Sequence, residues 1–368
     1  MFLGDNAHGK TNLLEAISVL ATGWSPFTSR ESDLVRWGQE RAILRSSIRR
    51  AGTTSGLDMW LPAAGRRAVK LDGLPQRRLA DILGVVNVVL FSREDLELVR
   101  GAPAGRRDFL DRLLVQLAPL YYEEFRRYSR AVAQRNTMLK QIAEGAVGVE
   151  VLEAWDGPVI RLGAEVARRR AEAISDLVPR AARWHSRISS GGEILEGVYQ
   201  PGIPGMDVEA AKREDRGETG AWAAAFADAL TAARSQDLAR RMTVVGPHRD
   251  DLVLKLDGRE AKSFASTGQR RTIALALKLA ELEMLKEVSG EAPLLLLDDV
   301  LAELDVQRQN HLLAAIGNEV QTFVTTTHLT DFTAAWIDRA EVFIIRSGAM
   351  TRATAGELSA LARADQVG

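Results

Sequence analysis

The sequence predicts an α/β fold: a mixed, mostly parallel sheet with flanking helices, and an α-helical second lobe inserted part-way along the chain. Three observations carry this. The loop Gly4-Asp5-Asn6-Ala7-His8-Gly9-Lys10-Thr11 opens directly into an amphipathic segment, as a phosphate loop does at the head of a helix. Beyond residue 241, short apolar runs alternate with helical ones, one of them Leu294 to Leu297 followed by Asp298 and Asp299; such alternation implies parallel strands joined by helices. Between these regions lies a long Ala- and Arg-rich stretch of helical period.

Each element follows in order. Asn12 to Thr22 places Leu13, Leu14, Ile17, Val19 and Leu20 at helical spacing, with Gly23 as the stop. Ala42–Ile48, Leu57–Leu61 and Ala68–Leu71 read as short strands, and Gly84–Phe91 as a Val-rich buried one. A helical arm of a few long segments then runs to about residue 240, broken at Gly145–Gly148 and Gly191–Gly205. Strands are expected at Met242–Val245 and Leu252–Leu256, the second closing a hairpin at Asp257-Gly258. Helices at Gly268–Val288 and Val306–Ile316 then alternate with strands at Leu294–Asp298, Val320–Thr326 and Val342–Ile345. Residues 1–94 and 241–368 would form a discontinuous core, lobe I, and residues 95–240 the inserted lobe II.

Composition narrows the function. The 368 residues carry 48 Lys+Arg against 49 Asp+Glu, a formal charge of −1, so any nucleic-acid surface must be a local patch. Zero cysteines exclude disulfides, Cys-ligated zinc and thiol catalysis. No apolar run reaches the roughly 20 residues of a membrane span, and a cytoplasmic, nucleoid-associated protein is expected. Within the arm, residues 101–140 and 161–190 are each net +4. Arg106, Arg107, Arg126, Arg127, Arg168, Arg169 and Arg170 are the candidates there for neutralising DNA phosphates, against a structural alternative of ion pairs between helices.

The chemistry rests on the phosphate loop and its partners. Gly4, Asp5, Asn6, Ala7, His8 and Gly9 would present backbone N–H groups to a nucleotide. Lys10 would reach its β and γ phosphates, and Thr11, with Asn12 beside it, would open the helix and ligate Mg²⁺. Asp298 would complete the Mg²⁺ shell, and Asp299 would orient or deprotonate the attacking water. No Asn is followed by Lys, which removes the guanine-reading motif of GTPases. Ser266-Thr267-Gly268-Gln269, ahead of a long helix, is an anion-binding turn.

Together with Ala302-Glu303-Leu304-Asp305, these segments resemble the Walker A, signature, Walker B and D-loop set of an ABC-type ATPase. Lys10 and Ser266 are 256 positions apart, more than a transporter nucleotide domain needs and less than the long coiled coils of SMC proteins. The runs GKTNLLEAI, NVVLFSREDLELVRGAP, RRDFLD, VGPHRDDL, RRTIALALKLAELE, APLLLLDDVLAELD and QTFVTTTH resemble the bacterial RecF family of SMC-like DNA replication and repair proteins. The resemblance implies binding of ATP with Mg²⁺ and an ATP-dependent homodimer. It also implies binding to double-stranded and gapped DNA, and work with RecO and RecR to load RecA. By the same carry-over, Ser266, Gly268 and Gln269 would contact ATP held by the other subunit, Asp305 would lie in the loop crossing that interface, and His328 would sense the γ-phosphate.

Three departures from the family pattern stand out. Only Met1, Phe2 and Leu3 precede the phosphate loop, where the family carries roughly thirty further residues including its first strands; a late start or a truncated head without working ATP binding, serving as an adaptor, is the rival expectation. Asp299 stands where a Glu is usual, one methylene shorter, and slow hydrolysis is expected, with ATP acting as a clamp timer more than as fuel. Phe91-Ser92-Arg93-Glu94-Asp95 occupies the place of the usual Q-loop glutamine, and VGPHRDDL, with His248, Arg249 and Asp250, reads as a hinge.

Overall fold

The computed structural model describes residues 1–358 apart from 29, 51, 190, 216–218, 301–304, 317–319, 330, 331, 333, 338 and 355. Strand β1 (Phe2–Leu3) and helix α1 (Lys10–Thr22) lead into β2 (Arg41–Arg50), β3 (Thr53–Pro62), β4 (Ala68–Leu71), β5 (Leu74–Gln76) and β6 (Val88–Phe91). Helices α2 (Glu97–Arg100), α3 (Pro103–Leu117), α4 (Leu120–Ala143) and α5 (Glu153–Ile188) follow, then β7 (Leu195–Gln200), α6 (Val208–Asp215), α7 (Gly220–Ala232) and α8 (Arg234–Arg240). The chain continues through β8 (Asp251–Leu256), β9 (Arg259–Glu260), α9 (Ala261–Phe264) and α10 (Thr267–Ser289). It ends with β10 (Leu294–Asp298), α11 (Val306–Ile316), β11 (Thr322–Thr326), α12 (Ala334–Ile337), β12 (Phe343–Arg346) and β13 (Ala349–Arg352). Two compact units divide it, Met1–Asp95 with Glu281–Gly368 and Leu96–Ala280.

The first unit is built on a six-stranded sheet of order β13-β12-β1-β11-β10-β6, parallel throughout except for the β12–β13 hairpin. Strands of such a sheet are covered on both faces and read as unbroken apolar runs, which is why Leu295, Leu296 and Leu297 are all fully buried. Helix α1 packs Leu14 and Ala21 against Phe2, Val88, Leu296 and Ile345, and Phe2 stacks on Phe323 with ring centroids 6.1 Å apart. Gly23 ends the helix in the left-handed region (φ 82°), its N–H returning 2.9 Å to Val19 O. The short segment ahead of the phosphate loop does form a strand: Phe2 and Leu3 pair in parallel with both β11 and β12. A separate antiparallel sheet, β2-β3-β4-β5, completes the unit.

In the second unit α5 is the spine. Among its buried positions, Val159, Gly163, Val166, Arg170, Ile174, Leu177, Ala181, His185 and Ile188 recur every three or four residues, the stripe a helix turns toward a core. A small sheet, β7-β8-β9, belongs to this unit, and its β8–β9 turn holds Asp257 at φ 50° and Gly258 at φ 76°, as a two-residue hairpin requires. Strand β7 lies in the Gly/Pro-rich stretch read as a mere break, and it pairs with β8 along its whole length. That pairing draws β8 into the helical unit, so the second division falls between Ala280 and Glu281, inside α10, and not near residue 241. Met242–Val245 is also not a strand. The Thr243 N–H donates to Asn136 Oδ1 at 2.7 Å and the Val244 N–H to Asp237 Oδ1 at 2.8 Å, so side chains satisfy the backbone groups a ladder would have used.

Candidate nucleotide-binding site

The phosphate loop hangs from the carboxyl end of β1. Gly4 is required by packing: a Cβ there would lie 2.4 Å from Ile345 O. Ala7 (φ 65°) and Gly9 (φ 95°) enter the left-handed region, giving the concave run of N–H groups that binds anions. Helix α1 starts at Lys10 without a side-chain cap, so its first-turn donors are left for a ligand. Lys10 is 7% exposed, and its Nζ donates to Gly4 O at 2.6 Å and Asp5 O at 3.0 Å. Burial pushes its pKa down, while Asp299, Asp298 and Asp5 pull it back up. A cavity of about 690 Å³ adjoins the loop, lined among others by Ala7, His8, Gly9, Asn12, Arg36 and Trp37. His8 Nδ1 is buried there with no hydrogen-bond partner among the described residues, and Trp37 is 97% exposed, an apolar surface left uncovered beside the loop.

Both acids arrive at the same sheet edge. The β10–β11 register sets Asp298 opposite Thr325, and Phe2 is also opposite Thr325, so the loop and the acids emerge at the carboxyl ends of the two strands that flank β11. Asp298 Oδ1 accepts from Thr11 Oγ1 at 3.0 Å and from Thr325 Oγ1 at 2.7 Å. Two hard oxygen donors in contact suit Mg²⁺, which takes one or two protein ligands and completes its octahedron with phosphates and water. Among the described residues no group of three or more His, Asp or Glu could hold a metal ion. Asp299 departs from the strand at φ 54°; its N–H donates to Thr325 Oγ1 at 3.0 Å, and its carboxylate accepts from Arg93 Nη2 at 2.5 Å. Arg93 therefore occupies, beside the acid, the segment where a glutamine was expected. His328 is exposed just past β11, its backbone closed into a turn by Thr326 Oγ1, which donates to His328 O at 2.9 Å and accepts from its N–H at 3.2 Å.

The remaining motif residues lie at helix starts. Ser266 and Gln269, in the second unit, form a reciprocal capping box: Ser266 N–H to Gln269 Oε1 at 2.7 Å, and Gln269 N–H to Ser266 Oγ at 3.2 Å. Gly268 lies between them in the first turn of α10. Asp305, in the first unit, caps α11, accepting from the Arg308 N–H at 3.0 Å. Ala302, Glu303 and Leu304 lie outside the described residues.

No family model matches the chain. The curated protein named DNA replication and repair protein RecF from Synechococcus sp. (strain JA-3-3Ab) is 45% identical over 350 residues, 95% of this chain and 90% of that one. The protein of the same name from Microcystis aeruginosa is 44% identical over 356 residues, 95% of this chain and 92% of its own length. The chain belongs to the RecF family. Solved structures of the recombination mediator protein RecF-ATPrS and RecF-ATP in the RecFOR pathway superpose with TM-scores of 0.86 and 0.85 at 31% identity, each covering 96% of this chain and 91% of the other. The fold is thus that of RecF.

In this RecF-family chain the arm arginines separate by burial. Arg106 is 5% exposed and Arg170 only 1%. Arg106 holds Asp251 through Nε at 2.7 Å and Nη2 at 2.9 Å. Arg170 grips Asp111 through Nε and Nη2, both at 2.9 Å, and reaches Asp250 through Nη1 at 2.9 Å. Both are corrected as DNA contacts, since their charges are enclosed and neutralised inside the fold. Arg107 is half-buried and donates to Asp250 O at 2.8 Å. Arg168 pairs with Glu165 and Glu172, and Arg169 with Glu124 and Glu165. Arg126 and Arg127 are exposed on α4, Arg126 over the Tyr122 ring at 5.5 Å. Composition could not separate these groups, but the α5 stripe could, because Arg170 falls in phase with Val166, Ala167 and Ile174.

His248 in the expected hinge is a locked neutral imidazole. Its Nε2 lies 2.9 Å from Thr243 O, so it donates there, and its Nδ1 accepts from Tyr128 O–H at 2.7 Å. Burial, with Arg249, Arg107 and Arg170 nearby, brings its pKa down to about 4. The unfolded chain takes a proton near pH 6.5, so the stabilisation is complete above that value and is lost as pH falls toward 4, by up to about 3 kcal/mol. Urea unfolding at pH 7.5 and 4.5 checks this: His248→Gln should lose distinctly less stability between the two than the unchanged chain.

Proposed function

We propose that the chain binds and slowly hydrolyses ATP with Mg²⁺, and that ATP closes it into a homodimer that binds double-stranded and gapped DNA in recombinational repair. The observation that carries this reading is the convergence of Gly4–Thr11, Asp298 and Asp299 on one edge of one sheet. The phosphates would lie on the α1 amino terminus, the base in the cavity beside Trp37, and Mg²⁺ against Thr11 and Asp298, where it would neutralise charge on the β and γ oxygens. Lys10 is already aimed into the loop, and Asp299 would accept a proton from water. Ser266 and Gly268 would meet the nucleotide of the facing subunit, with Asp305 and His328 at that interface. The names of the RecF relatives support DNA repair as the setting, and the RecFOR pathway in the description of the two solved RecF structures supports RecO and RecR as partners; loading of RecA is the step that reading adds, and Arg126 and Arg127 are the arm cations best placed for phosphate contacts. Among the described residues no helix is long and apolar enough to cross a membrane.

Sedimentation with ATP and Mg²⁺ tests the reading. The unchanged chain should shift from monomer to dimer, whereas Lys10→Met should lose about ten- to a hundredfold in ATP affinity, the worth of charge-assisted bonds to phosphate, and stay monomeric. Ser266→Arg should bind ATP and also stay monomeric. A chain that ignores ATP in binding and in mass would overturn the proposal in favour of a non-catalytic adaptor.

A further inference from the structure

The signature turn has a tether that a capping box does not need. Gln269 is held at both ends of its amide: Oε1 accepts from the Ser266 N–H, while Nε2 donates to Glu193 Oε1 at 2.6 Å. A carboxylate on one side and an N–H on the other settle which end of the amide is oxygen. The Ser266 hydroxyl accepts from the Gln269 N–H and so keeps its own proton for donation. Glu193 sits in the loop from α5 to β7. Its neighbour Ile194 is pinned to the β8–β9 turn, donating to Asp257 Oδ1 at 2.8 Å and accepting from the Asp257 N–H at 2.9 Å. The other Glu193 oxygen faces His185 Nε2 at 3.6 Å, and His185 is wholly buried in the last turn of α5. An unbroken line of contacts therefore runs from the end of the longest arm helix to the turn that carries Ser266 and Gly268.

We propose that Glu193 is a positioning residue of the signature turn: through Gln269 it sets the orientation that Ser266 and Gly268 present to the nucleotide of the facing subunit, and it ties that orientation to the carboxyl end of α5. The inference rests on the signature reading of residues 266–269 given above. It adds that the arm and the ATP-dependent interface are joined by a residue outside every nucleotide motif.

The test is sedimentation of the full chain in ATP and Mg²⁺, with binding of a fluorescent ATP analogue measured where the chain is monomeric. Glu193→Ala should weaken ATP-dependent self-association about tenfold, the scale of one hydrogen bond to a charged group, and leave monomer affinity for the analogue within about twofold because Glu193 belongs to none of the nucleotide motifs. Glu193→Gln keeps an oxygen for the Gln269 amide and should recover most of the association. Gln269→Ala should weaken association similarly, and the double variant should be no worse than the weaker single one. If Glu193→Ala associates like the unchanged chain while Ser266→Arg does not, the inference fails and the signature reading stands. If Ser266→Arg associates normally, the signature reading fails and the inference with it. Should Glu193→Ala not fold, Gln269→Ala breaks the same bond from its other end, and normal association by that variant overturns the proposal.

Discussion

Asp299→Asn is expected to lower ATP turnover by about 10²–10⁴-fold, the range a positioned acid–base group contributes, with ATP affinity changed far less. The amide keeps the size and the φ 54° backbone of Asp299 but cannot take a proton from water. Direct binding of an ATP analogue, measured beside steady-state hydrolysis, separates the two effects; an equal fall in both would count against a role in the chemical step. Arg93 supplies the counter-experiment. Its pair with Asp299 has side-chain exposures of 56% and 21%, and a pair so open to solvent is worth at most about 1 kcal/mol. The guanidinium competes with water for the carboxylate, so Arg93→Gln should raise turnover, by no more than about fivefold. A fall instead would mean that Arg93 holds Asp299 in its working position. The shorter acid and the arginine beside it both support slow hydrolysis.

Arg170→Met should cost about 3–5 kcal/mol of stability, the penalty for leaving a buried ionic partner uncompensated. Here the partners are two. Asp111 keeps the Tyr121 hydroxyl, at 2.5 Å, and Asp250 keeps the Tyr199 hydroxyl at 2.6 Å and the Gly202 N–H at 2.7 Å. Arg170 also donates to Pro247 O at 2.6 Å, so one side chain gathers α3, α5 and the segment before β8. Burial opposes its charge, yet Asp111, Tyr121 and Asp250 hold its pKa well above the usual guanidinium value. Arg126→Ala, exposed on α4, should stay within about 0.5 kcal/mol of the unchanged chain. Urea titrations of the two variants, together with DNA binding at two salt concentrations, test the division drawn here: Arg170→Met loses stability, and Arg126→Ala loses DNA affinity and part of its salt dependence. Equal stability loss in both would show that burial does not decide their roles.

Much of the candidate site was legible because its signals are local. A Gly-rich loop opening a helix, an apolar run ending in two acids, and Ser and Gln at capping-box spacing each depend on backbone rules that act within a few residues. The same holds for α1 with its Gly23 stop and for the Asp257-Gly258 hairpin. Periodicity likewise placed β10 at Leu294–Asp298 without error in its bounds. Met242–Val245 misled because its strand-like side chains say nothing of Asn136 and Asp237, which reach its N–H groups from elsewhere.

The sequence by itself determined the α/β class, the glycine loop that opens α1, the acid pair and the capped Ser266–Gln269 turn, since covalent neighbours specify each of them. Only the tertiary structure decided which charges are spent inside the fold and which face water. It also decided that Arg93 meets Asp299 across 206 positions, that Glu193 meets Gln269 across 76, and that β7 draws β8 into the helical unit. These depend on residues far apart in the chain, and the free energy of a charge depends on the partners and solvent that folding brings to it, which no spacing along the chain records.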